Sequence, residues 1–180
     1  TGSIGYTTIN LPRLGYLYSI KKSDGKSFTK AKKAFLDRLE YLVNMSAEIL
    51  NLRRELIEDL TERGMYPYSK FYLRKVKERS GQYWSNHFNT VGILGMNEAI
   101  LNFMGKDITT KEGQKFALEV MDFLNEKVLA IQERDDILYN IEASPAEGAS
   151  YAIAKKDKEL YPDIIVANEA EYKEGAEPYY

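Results

Sequence analysis

Cysteine is absent from the 180 residues, and histidine occurs once, at His87. Without thiols the chain has no disulfide, no thiolate metal site and no cysteine nucleophile, and a single imidazole argues against a histidine-based zinc site. No apolar run approaches the length of a membrane span. Positive and negative side chains nearly cancel, 25 against 27, for a net charge of −2. That balance gives no electrostatic basis for nucleic acid or an anionic membrane as a partner. The first residues, TGSIGYTTINL, have no signal-peptide pattern, so a cytoplasmic location is expected. What the chain has in quantity is tyrosine, fourteen residues, half apolar and half polar and suited to boundaries between elements.

The order of elements predicts an α/β protein. SIGYTTIN (3–10) is β-branched and aromatic and reads as a strand that Leu11-Pro12-Arg13 ends, because Pro12 cannot donate to a ladder. Ser23-Asp24-Gly25-Lys26 reads as a loop, followed by a long helix from about Thr29 to Arg63 with an apolar stripe of Phe35, Leu39, Leu42, Ile49, Leu56 and Leu60. Gly64 and Pro67 stop it, and the basic run 69–79 suits a short helix. His87 to Leu94 is extended, Gly95 breaks the run, and Met96 to Phe103 is helical. Thr109 and Glu112 form a capping box for a helix to about Gln132, and 137–143 is a third strand. Residues 165–180 lack periodicity and are expected to be irregular. Three strands are too few to close a sheet around a core, so the chain reads as a piece of something larger.

Chemistry is harder to place. IEASPAEGASYAIAK (141–155) runs from a strand into a helix, with Ser144 suited to the N-cap, Pro145 to the first turn and Glu147 to a capping box. The free amides of such a helix start form an anion site, and the small residues Ala146, Gly148 and Ala149 let a phosphate approach. The same residues also describe a plain capped helix, and the Glu147 carboxylate competes for those amides. Asn10 ends an apolar strand, where a buried carboxamide needs partners from a ligand hydroxyl or from neighbouring backbone. Gly92 and Gly95 permit close backbone approach. His87 reads as structural, donating to a backbone carbonyl beside Trp84 and Phe88. Asn97 and Glu98 read as first-turn helix polar residues, and Glu133, Arg134, Asp135 and Asp136 as a solvated charged loop.

Four segments in order, TGSIGYTTINLPRLGYL (1–17), NHFNTVGILGMNEAILNF (86–103), LYNIEASPAEGASYAIAK (138–155) and YPDI (161–164), resemble the catalytic subunit of the anaerobic (class III) ribonucleoside-triphosphate reductases, which are glycyl-radical enzymes. The resemblance implies that residues 1–180 are a central-to-C-terminal part of a ten-stranded α/β barrel with long helices outside. It implies reduction of ribonucleoside triphosphates to 2′-deoxyribonucleoside triphosphates by a thiyl-radical mechanism. A glycyl radical installed by an iron–sulfur/S-adenosylmethionine activase, and a structural zinc, would be cofactors of the whole enzyme and not of this segment. The implied partners are the substrate, deoxynucleotide and ATP effectors, the radical-SAM activating protein and a second subunit in a homodimer, with no nucleic acid and no membrane. The reductant stays open between formate and a thiol protein.

Residue by residue, the resemblance makes Asn10 the group that holds a ribose hydroxyl. It assigns the substrate's phosphates to Ser144, Ala146, Glu147, Gly148, Ala149 and Ser150, with Gly148 and Ser150 foremost. Met96 and Asn97 would line the same pocket, and no metal site is expected. The family often has threonine where Ala149 stands, which removes one hydroxyl contact and leaves backbone binding intact. The competing reading is a non-catalytic nucleotide-binding or assembly module built from the same barrel. A third is an α/β packing domain whose capped helix binds nothing.

Overall fold

Alternating β-branched and aromatic residues make the first strand, β1 (Ser3–Asn10). In this computed structural model residues 2–22, 27–144 and 147–180 are described. Asn10 then turns the chain. Its side-chain oxygen accepts the Arg13 amide at 3.1 Å, a proline occupies the first turn, and α1 (Leu11–Leu17) begins at once. Pro12 therefore ends a ladder and opens a helix, because its missing N–H is harmless in a first turn.

The long helix α2 (Phe28–Glu62) is followed by α3 (Pro67–Ser80), β2 (Phe88–Leu94) and α4 (Met96–Met104). Then come α5 (Lys111–Asp135), β3 (Tyr139–Ala143), α6 (Glu147–Leu160) and the short α7 (Glu169–Lys173). The expected loop at 23–26 lies outside the described residues. The cap of α5 is Thr110, one residue later than the sequence suggests, and it accepts the Gly113 amide at 3.1 Å. Thr109 instead bonds the Asp107 carboxylate.

The three strands form one parallel sheet in the order β1-β2-β3, with Thr8 beside Gly92 and Gly92 beside Glu142. This is the α/β arrangement expected, seen as a three-stranded piece. One face of the sheet is apolar and buried under α2 and α5. Ile9, Val91 and Ile93 meet Phe35, Leu39, Val43, Ala47 and Leu50 of α2 and Phe116, Val120 and Leu124 of α5. Phe103 and Phe116 stack at 4.7 Å, and Phe35 packs edge-on to both at 5.6 Å. Each such side chain contributes about 2 kcal/mol by leaving water.

The buried stripe of α2 differs from the expected one: Ile49 and Leu56 are more than half exposed, while Val43, Ala47 and Leu50 are buried. Both sets recur at threes and fours, and periodicity alone does not say which set meets the sheet. The opposite face of the sheet carries Tyr6, Thr8, Thr90, Asn140 and Glu142, a row of hydroxyls, an amide and a carboxylate. Residues 165–180, expected to be irregular, contain α7 and are fastened by hydrogen bonds, among them Ala167 N–H to Tyr179 O at 2.9 Å and Tyr180 N–H to Ser150 Oγ at 2.9 Å. No described helix is long and apolar enough to cross a membrane.

Candidate functional site

The carboxyl ends of all three strands lead into helices on one end of the sheet: β1 into α1, β2 into α4, and β3 toward α6. In parallel sheets this end is where ligands bind. Gly95 makes the second turn possible: it has φ +71, and a β-carbon there would lie 2.4 Å from Pro12 Cγ. Gly92 does the same for the third. A β-carbon on it would fall 2.5 Å from Ser144 Oγ, from Thr7 O and from the Tyr6 ring, so only glycine lets Ser144 settle over the sheet. The fourth sequence segment reaches the same end. Tyr16 of α1 donates to the Asp163 carboxylate and packs its ring 5.0 Å from that of Tyr161. Burial, then the Asp163 carboxylate, push the Tyr16 phenol up to about 12.

Asn10 is half-buried, and both ends of its carboxamide are engaged. Oδ1 accepts from Arg13 N, and Nδ2 donates to Asp157 Oδ2 at 2.7 Å. Asp157, on α6, is fully buried and gathers more donors: Arg13 Nε at 2.6 Å with a second guanidinium contact, and the Tyr180 hydroxyl at 2.8 Å. Burial, then the bond to the Asp157 carboxylate, drive the Tyr180 phenol far above its ordinary value. Ser150, also buried, accepts from Tyr180 N–H and donates to Tyr180 O at 2.7 Å. Ser144 Oγ lies 3.0 Å from the Tyr6 hydroxyl, which donates to it, and 3.2 Å from Thr8 Oγ1. Thus Asn10, Ser144 and Ser150 belong to one connected end of the molecule, joined through Tyr6 and Thr8 on one side and Asp157 and Tyr180 on the other. Asn10 and Arg13 also border an open groove of about 460 Å³ along the free edge of β1.

The remaining expected residues are placed as follows. Gly148 is exposed in the first turn of α6, with nothing within 4 Å of where a β-carbon would stand, and Ala149 is half-buried beside it. Ala146, Pro145 and the side chain of Glu147 lie outside what is described, so the capping box at Ser144 does too. Met96 packs against the hydrophobic core. The Asn97 carboxamide braces its own neighbourhood, donating to Glu98 Oε1 at 3.1 Å and accepting the Ile108 amide at 3.0 Å. Glu98 is buried and no mere surface residue of a first turn.

Two structural expectations need correcting. Among the described residues His87 meets the side chain of Asn86, Nδ1 to Oδ1 at 2.8 Å, and not a backbone carbonyl, although it does stack edge-on against Trp84 at 4.9 Å. Asp135 is not a solvated loop residue. It ends α5, accepts from Asn51 at 2.8 Å and Tyr139 at 3.0 Å, and is held below the usual carboxylate range, chiefly by Arg134.

Asp157, Arg13 and Tyr180 were not legible as site residues. A signal did exist: Ser150, Ala154, Asp157 and Lys158 recur at fours and threes along α6, and all four are buried. An acid on the inward stripe of a helix is a charge that needs partners. Among the described residues no group of three histidine, cysteine, aspartate or glutamate side chains is placed to hold a metal.

The family model for anaerobic ribonucleoside-triphosphate reductase matches residues 1–180. No curated protein matches. Among solved structures, the anaerobic ribonucleotide reductase of Thermotoga maritima with citrate in the active site is similar at 27% identity and TM-score 0.68, over 90% of this chain and 28% of that one. The same enzyme with MES in the active site aligns over 99% of this chain and 26% of that one, at 26% identity and TM-score 0.69. Its complex with dATP and CTP aligns over 88% and 24%, at 25% identity and TM-score 0.67. The chain therefore spans about a quarter of the length of the solved chains it matches. With every residue covered by the family model and the strand ends converging as described, the chain belongs to the anaerobic ribonucleoside-triphosphate reductase family.

Proposed function

We propose that this chain forms part of the substrate pocket of an enzyme that reduces ribonucleoside triphosphates to deoxyribonucleoside triphosphates. Asn10 holds a ribose hydroxyl, and the backbone amides at the head of α6, around Gly148, receive the phosphates. The observation that carries the reading is the bond from Asn10 to α6 through Asp157, 2.7 Å long, at the carboxyl end of a parallel sheet. It ties the strand end and the helix to one site. A nucleotide bound by a related enzyme is also in keeping with it, since the Thermotoga maritima protein has been solved with dATP and CTP.

A carboxamide suits the assigned task. It offers two N–H donors and two acceptor lone pairs, and only one of each is used by the protein contacts described. The other N–H and lone pair can hold a sugar hydroxyl in one orientation without taking its proton. In a radical reaction, position decides which C–H bond is broken, so holding the ribose in place is itself a contribution to rate. The chain has no thiol. A thiyl radical that abstracts the ribose hydrogen therefore belongs to another part of the enzyme, and the proposal places the zinc site there as well. The residues here bind and orient. The homodimer, the effectors and the activating protein belong to the same proposal for the whole enzyme.

Steady-state kinetics of the intact enzyme test the reading. Asn10→Ala is expected to lower kcat by about 100-fold while KM for the ribonucleotide changes little, as for an interaction made in the transition state. Gly148→Val is expected to raise KM and leave kcat nearly intact, because the new side chain projects into open space over the helix start. Unchanged kinetics in both variants would overturn the assignment. Retained nucleotide binding without turnover in the native intact protein would favour the non-catalytic module.

A further inference from the structure

We propose that Asp157 is a positioning residue that fixes the orientation of the Asn10 carboxamide and, through it, of the hydroxyl that Asn10 holds. This rests on the reading of Asn10 as a substrate contact. Asp157 stands in the third turn of α6, with its carboxylate out of contact with solvent. Among the described residues, every group that reaches it is a donor: Asn10 Nδ2 and the Tyr180 hydroxyl on Oδ2, and Arg13 Nε with a second guanidinium nitrogen on Oδ1. A carboxylate accepts at both oxygens and donates from neither, so it is the side chain such a pocket requires. Arg13 supplies the countercharge that a buried anion needs.

The consequence for Asn10 is directional. Its oxygen faces the Arg13 amide and its nitrogen faces the carboxylate. Turning the amide over would set N–H against N–H on one side and oxygen against a carboxylate on the other. Both contacts would be repulsive, so the carboxamide has one orientation, and the N–H and lone pair left for a ligand have fixed directions. Arg13 adds to this, since its backbone and its side chain brace the two ends of the arrangement. Tyr180 closes the pocket: its backbone is latched to Ser150, and its hydroxyl completes the shell around Asp157.

Asparagine at 157 would bring two donors into a pocket made only of donors. At least one bond would be lost, and the reversed orientation of Asn10 would become accessible. The test is kcat and KM for a ribonucleoside triphosphate in the intact enzyme, with Asp157→Asn, Asn10→Ala and the double variant. Asp157→Asn is expected to lower kcat about 10- to 100-fold with KM changed little, as for a displaced reacting group. The double variant is expected to be no slower than Asn10→Ala alone, since a residue that acts through Asn10 has nothing left to act on. Asp157→Glu is the second variant. It keeps the charge, moves the carboxylate by one methylene and serves if the asparagine variant does not fold; a lowered kcat at unchanged KM is expected again. If Asn10→Ala is slow while both Asp157 variants turn over normally, this proposal falls and the reading of Asn10 stands. Losses that multiply in the double variant also overturn it, because Asp157 would then act independently. Normal turnover in Asn10→Ala overturns both.

Discussion

Two buried polar clusters sit at opposite ends of the same sheet, and they are built differently. At the amino end, Arg54 of α2 is the buried charge. Its guanidinium donates to Asn89 Oδ1 at 3.2 Å, Trp84 O at 2.8 Å and His87 O at 2.6 Å. Asn89 continues to Asn51, and Asn51 to Asp135 and Tyr139. Burial lowers the Arg54 pKa. At the carboxyl end the buried charge is an anion, Asp157, and its donors come from the β1–α1 turn and the far end of the chain. The first cluster spends its charge on backbone carbonyls of the segment before β2 and holds that segment in place. The second gathers side chains instead, and two of them, Asn10 and Arg13, border a groove, as Asn51, Arg54 and Asp135 of the first border another. Both obey the same rule, that a buried charge must be partnered. What differs is the kind of partner: backbone carbonyls and a carboxamide oxygen around the cation, side-chain donors alone around the anion.

That contrast can be broken from either side. The largest effect on stability is expected from Arg54→Leu, which leaves two carbonyls and an asparagine without their donor. Loss of about 3 to 5 kcal/mol is expected in denaturant unfolding of the intact protein, with KM unmoved in whatever folds. Gly92→Val comes next. Its side chain would collide with Ser144, Thr7 and Tyr6 at 2.5 Å, so a loss of about 1 to 3 kcal/mol is expected, together with weakened substrate binding as Ser144 is displaced. The smallest effect is expected from pH at the amino-end cluster. Burial, and then neighbouring positive charge including Arg54, hold the His87 imidazole below its ordinary value. The unfolded chain then binds the extra proton first. The His87 contribution to stability is full above about pH 6.5 and is lost as pH falls through the folded value. Urea midpoints measured from about pH 7 down to about pH 5 should fall more steeply in the native protein than in His87→Gln. Equal slopes would show that the imidazole is not the group responsible.

Much of this was legible in the residues. SIGYTTIN and the 88–94 run have strand composition, and Gly95 and Pro67 mark boundaries that the structure keeps. Asn10 could be singled out because a carboxamide at the end of an apolar strand has to find partners. Which partners was not legible: Asp157 is 147 positions away along the chain, and α6 folds back to bring it there. The stripe of α2 shows the limit of periodicity. Phe35 and Leu39 are buried as expected, but Ile49 and Leu56 point to solvent, because the sheet contacts a face rotated from the one their spacing defines. Ser150 was readable only through the family resemblance, as a phosphate contact. That its hydroxyl would be taken by the backbone of Tyr180 was not.

The amino-acid sequence by itself determined most of the element types and their order, though not the helices α1 and α7, together with the absence of thiols from these residues and the glycines Gly92 and Gly95, at which two segments touch. These are local properties, set by side-chain shape, backbone freedom and the chemistry each residue carries. Only the tertiary structure decided that a buried aspartate late in the chain would meet an asparagine near its start, and that one polar cluster would hold backbone carbonyls while the other gathered side chains. Those outcomes depend on directions in space, and hydrogen bonds between distant segments exist only once packing has set the distance and angle between them.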